Sequence, residues 1–97
     1  MATLIVVATA RPEGDESRQR YVQQVMPLLT GIGGQPVKRL AVTDAVSGTA
    51  RPESVIVMDF PEAEPLRALF QSAEYETLLP LRNAGFAQIE ILIAEDL

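Results

Sequence analysis

The chain has 97 residues, 47% of them hydrophobic and 22% charged, with no cysteine and no histidine. Such a length has room for one core and the composition leaves no tract for disorder, so one folded domain over residues 1–97 is expected. The missing cysteine removes disulfides, thiolate zinc sites and thiol nucleophiles. The missing histidine removes the commonest general base and metal ligand, so no metal or cofactor is expected, and a net charge of -5 sets nucleic acid aside as a partner.

From Thr3 to Ala10 two apolar or nearly apolar sets alternate, Leu4, Val6 and Ala8 with Ile5, Val7 and Thr9. This predicts a strand that seeks burial on both faces. The apolar run is too short to span a bilayer or serve as a signal core, and no basic segment precedes it, so a cytoplasmic location without a membrane partner is expected. Arg11 to Gly14 break the pattern. Asp15 then stands where a helix cap is wanted, with Glu16 in the first turn near the positive end of the helix dipole.

Tyr21, Val22, Val25, Met26 and Leu29 mark the apolar face of this helix. Pro27 predicts a kink or an early end, and Gly31-Ile32-Gly33-Gly34 terminates the helix, since no Lys-Ser/Thr follows to make a phosphate loop. Gln35 to Val46 reads as a second strand whose Lys38-Arg39 pair suits a sheet edge. Thr43 to Pro52 reads as a hairpin connection. Val55 to Met58 follows as a strand apolar on both faces, which belongs in the middle of a sheet.

Phe60-Pro61-Glu62 turns the chain into a second helix carrying Ala63, Leu66, Leu69 and Phe70 on one face, with Pro65 confined to the first turn. Ser72 caps a further short helix in which Tyr75, Leu78 and Leu79 continue the apolar stripe up to Pro80. Asn83-Ala84-Gly85 then leads to a last strand, Phe86 to Glu95, with Ile89, Ile91 and Ile93 on one face and Gln88, Glu90 and Leu92 on the other.

Two strand-helix-strand units in succession give an α+β fold, a ferredoxin-like βαββαβ chain with a four-stranded antiparallel sheet and helices on one face. The first and third strands are central and apolar on both sides, so something must cover the second face. Either a second copy of the chain or the long hairpin connection serves.

The Tyr21 helix with Pro27, the Gly33-Gly34 pair, and Arg51-Pro52 leading to Val55-Ile56-Val57-Met58-Asp59-Phe60-Pro61 form a set. With Leu66, Phe70-Gln71-Ser72, Glu74-Tyr75 and Leu81-Arg82 it resembles the domain-of-unknown-function family 1330, within the dimeric ferredoxin-like α+β barrel superfamily. The chain departs from the family pattern at Ser54, where arginine is usual, and in lacking a tryptophan in the hairpin. The resemblance implies a barrel closed by two sheets in a homodimer, with no established activity.

Four side chains are candidates for a site. Asp59 interrupts an apolar strand just before the helix turn. It is the one candidate for a catalytic base, and otherwise is a strand-end carboxylate bonded to backbone amides or paired with Arg82 or Arg11. Tyr21, Tyr75 and Arg82 could converge between helices and sheet, the guanidinium binding a carboxylate and the phenols orienting it, or the tyrosines could be core residues whose hydroxyls reach the surface. The expected function is binding of a small carboxylate-like organic molecule at the helix-sheet junction. A cofactor-independent isomerase or monooxygenase-like enzyme and a purely structural dimer are the alternatives.

Overall fold

Alternation of apolar residues sets the strands, and helical stripes set what covers them. The computed structural model describes all residues from Met1 to Leu97. In chain order the elements are β1 (Ala2–Ala10), α1 (Asp15–Gly31), β2 (Gln35–Ala41), β3 (Ser54–Phe60), α2 (Ala63–Phe70), α3 (Ala73–Glu76), α4 (Leu79–Gly85) and β4 (Phe86–Glu95). The strands form one sheet in the order β2-β3-β1-β4, with every neighbouring pair antiparallel. β1 and β3 are thus central, and the strand with Lys38 and Arg39 lies at an edge.

Register divides the sheet residues into two sets. Leu4 pairs with Met58 and Ile93, and Val6 with Ile56 and Ile91, on the face that packs against the helices. That core joins Leu4, Met58 and Phe60 to Tyr21, Val25 and Leu29 of α1, Leu66 and Leu69 of α2, and Tyr75 and Leu78 beyond them. The opposite, outer face carries Ile5 paired with Val57 and Leu92, Val7 paired with Val55 and Glu90, and Thr3 paired with Asp59. Lys38 and Leu40 of β2 join it opposite Val57 and Val55. Leu40 and Leu92 remain 48% and 46% exposed, so the connection between β2 and β3 is not the lid that one reading required.

Several local features differ from the sequence expectations. α1 does not end at Pro27 but continues to Gly31. Pro27 is exposed, so the Gln23 carbonyl that loses its backbone donor there is left on the solvent side of the helix. The helix stops where predicted, because Gly33 takes a φ of 92° and the amides of Gly33 and Gly34 return to the Thr30 and Leu29 carbonyls. Gly14, not Asp15, is the N-cap, and Asp15 pairs with Arg18 one turn on. β2 ends at Ala41 rather than Val46. Pro80 starts a helix instead of ending one, since at the second position of α4 its missing N–H leaves no bond unmade.

Candidate functional site

The buried stripe of α1 points Tyr21 into the junction between helices and sheet. Ser72 fixes Tyr75 there. Its hydroxyl accepts from the Tyr75 amide at 3.1 Å and donates to the Leu69 carbonyl at 2.6 Å, which starts α3 tightly after α2. α4 then brings Arg82 back against α3.

The hydroxyls of Tyr21 and Tyr75 lie 2.8 Å apart, and Arg82 Nη1 donates to the Tyr75 oxygen at 3.2 Å. The guanidinium carbon sits 5.9 Å from the Tyr75 ring centroid, within the range for attraction to the ring face. Two further rings wall the cluster edge-on: Phe86 at 5.9 Å from Tyr21 and Phe70 at 4.8 Å from Tyr75. Sequence reasoning placed Phe70 on an apolar face but did not connect Phe86, at the first position of β4, with the site. The Gly85-Phe86 junction, where helix period gives way to strand alternation, was the available signal.

Burial decides the protonation of Tyr21. Removal from water raises its pKa far above the ordinary phenol value, the hydrogen bond and charge interaction with Tyr75 raise it further, and the nearby Arg82 charge opposes them in part. Tyr21 is therefore a phenol at any physiological pH. Two phenolic hydrogens are present and only one is used between the two oxygens, so one remains free. Arg82 Nε is also buried and has no hydrogen-bond partner. The cluster thus holds spare donors and is hydrogen-bonded to no carboxylate.

Asp59 is elsewhere. Met58 and Phe60 on either side of it are in the core, so alternation turns Asp59 to the outer face, where Thr3 Oγ1 donates to its Oδ1 at 2.9 Å. The structure therefore brings Tyr21, Tyr75 and Arg82 together and leaves Asp59 across the sheet from them, bonded to neither Arg82 nor Arg11. No group of three or more Asp or Glu side chains is arranged to hold a metal ion. Two open cavities lie away from the cluster, about 790 Å³ within the Val42–Glu53 connection and about 400 Å³ beside Arg39, Ala41 and Ile56. No helix is long and apolar enough to cross a membrane.

The fold is shared with solved structures. A protein of unknown function from Rhodopseudomonas palustris, RPA0582, superposes with a TM-score of 0.83 at 15% identity, over 99% of this chain and 82% of that one. A dimeric protein of unknown function and ferredoxin-like fold from Bacteroides fragilis gives 0.63 at 8% identity, over 98% and 95% of the two chains. A candidate antibiotic biosynthesis monooxygenase from Nitrosomonas europaea gives 0.66 at 16% identity, over 100% and 99%. At these identities the likeness shows the fold alone, which is ferredoxin-like. No curated protein matches the chain. The family model described as Domain of unknown function (DUF1330) matches residues 4–97, nearly the whole length, and the chain belongs to that family.

Proposed function

We propose that the protein is a homodimer, packed through its outer sheet face, in which each subunit binds a small organic carboxylate at the Tyr21–Tyr75–Arg82 junction. The observation that carries the binding reading is the buried, unpartnered Nε of Arg82. A charged donor buried without an acceptor costs free energy, and native structures tolerate it where water or a ligand supplies the acceptor. Nη1 is already engaged with Tyr75, which leaves the Nε edge for the side-on contact that a planar carboxylate makes with a guanidinium. The spare phenolic hydrogen gives the oxyanion a second donor.

The same inventory argues for binding over proton abstraction. The cluster supplies donors, its tyrosine at position 21 resists ionisation, and the carboxylate of Asp59 lies on the other side of the sheet. On this reading Asp59 serves the dimer face and not the ligand. The dimer itself is supported by the half-exposed aliphatic residues of the outer face, each of which gains about 1 kcal/mol on being covered, and by the dimeric relative of the same fold.

Titration of acetate, hexanoate and benzoate into the wild type and into Arg82→Gln, followed by calorimetry, tests the binding reading. Binding by the wild type that weakens about tenfold or more in Arg82→Gln is expected, the loss of a charge-assisted hydrogen bond. If none of the three acids binds the wild type at millimolar concentration, or if Arg82→Gln binds as well, the reading fails.

A further inference from the structure

We infer that Arg18 is the positioning residue for Arg82 and that it acts through the C-terminal end of α4. α4 spans only Leu79–Gly85, and a helix that short is not stable without tertiary contacts. Its end is held from the β1–α1 turn. The Gly85 carbonyl accepts from the Arg11 amide at 3.0 Å and from Arg18 Nη1 at 2.7 Å, and the Asn83 carbonyl accepts from Arg11 Nε at 3.0 Å. Arg18 Nη1 also donates to the Arg11 carbonyl at 2.6 Å, while its Nη2 pairs with Asp15. One guanidinium therefore joins the turn, the first turn of α1 and the last residue of α4. Both arginines place positive charge at the negative end of the α4 dipole.

The contact is close as well as charged. A Cβ on Gly14 would stand 2.5 Å from the Ala84 carbonyl oxygen, and one on Gly85 would stand 2.7 Å from Arg18 Cγ. The glycines let the two backbones approach until Arg18 can reach across.

Spacing turns this clamp into a gauge for the site. Arg18 and Tyr21 are three residues apart on α1, and Arg82 and Gly85 are three apart on α4, so each pair shares one side of its helix. Arg18 meets Gly85 at one level of the packed helices, and Tyr21 meets Arg82 through Tyr75 at the next. A slip of α4 by one residue, about 1.5 Å along its axis, would break the 3.2 Å bond from Arg82 to Tyr75. The clamp prevents that slip.

The part of this inference that concerns ligand affinity rests on Arg82 being the carboxylate-binding group; the part that concerns geometry does not. Tyr21 and Tyr75 are the only tyrosines and there is no tryptophan, so the near-ultraviolet tyrosine dichroism of the unliganded protein reports on the cluster alone. Arg18→Gln is expected to lose most of that band with its far-ultraviolet spectrum kept, and to weaken benzoate binding about tenfold. Arg18→Lys, which keeps the charge and a donor, should recover much of both. An unchanged tyrosine band in Arg18→Gln, whatever its melting temperature, would reduce Arg18 to a stabilising cap and overturn the inference. If Arg18→Gln does not fold, Arg18→Met replaces it, keeping the aliphatic stem while removing the bonds to the Gly85 and Arg11 carbonyls: a diminished band supports the clamp and a wild-type band overturns it. Should the wild type bind none of the three acids, the ligand reading fails and the tyrosine band still decides the role of Arg18.

Discussion

The two faces of the sheet are built from the same strands and nearly the same residues, yet they have opposite fates. On the inner face Leu4, Met58 and Phe60 are almost wholly buried. On the other face of the same strands, Ile5, Val7, Val55 and Val57 are only half-buried, and Leu40 and Leu92 beside them are exposed. Hydrophobicity does not distinguish the two sets; the presence of α1 and α2 over one of them does. A strand that is apolar on both faces needs two covers, and a single chain of this length supplies one.

The sharpest way to separate the faces is to remove one side chain from the covered side. Leu66 of α2 is fully buried against the inner face. Leu66→Ala should lower the unfolding free energy by about 2–5 kcal/mol, from lost transfer energy and the cavity left behind, as measured by urea denaturation. A loss below about 1 kcal/mol would mean that the helix layer collapses onto the gap and that the inner core is less tightly packed than its burial indicates.

A charge on the uncovered side should have a different effect. Val57 lies at the centre of the outer face, between Ile5 and Lys38. Val57→Lys should leave the subunit folded, because its side chain touches solvent in the monomer, but should turn a dimer into a monomer in sedimentation equilibrium at micromolar concentration. The unpaired ammonium buried between two sheets costs several kcal/mol. If the wild type is itself monomeric, or if Val57→Lys stays dimeric, the outer face is not the interface.

What the sequence made legible follows the same division. Alternation in Leu4 to Ala10, Val55 to Met58 and Ile89 to Ile93 placed three strands, and Ser72 announced its helix because an N-cap is a local chemical event. α4 was not foreseen. Pro80 reads as a stop until one knows that it falls at the second helical position, where a proline is harmless. Asp59 was grouped with Tyr75 and Arg82 on chemical grounds, although its place between Met58 and Phe60 already turned it to the other face. The Arg18 clamp had no local signature at all. It joins residues far apart in the sequence, and only the glycines at positions 14 and 85 hinted that two backbones come close.

The smallest expected effect concerns the one polar seam within the inner face. Tyr21 keeps its proton in the folded chain at pH values where an exposed tyrosine gives it up, because burial disfavours the phenolate. The unfolded chain releases that proton near pH 10, so above it the native state holds more protons than the unfolded state and stability must fall as pH rises. Below that pH Tyr21 contributes no pH dependence. Tyr21→Phe removes the hydroxyl and its bond to Tyr75, at a cost of about 0.5–1.5 kcal/mol near neutrality, and it should also flatten the alkaline decline. Melting curves of both proteins at neutral and strongly alkaline pH test this. If the decline is equally steep in Tyr21→Phe, the alkaline loss comes from charge repulsion in a chain of net charge -5, and the inner face carries no proton-linked group at its seam.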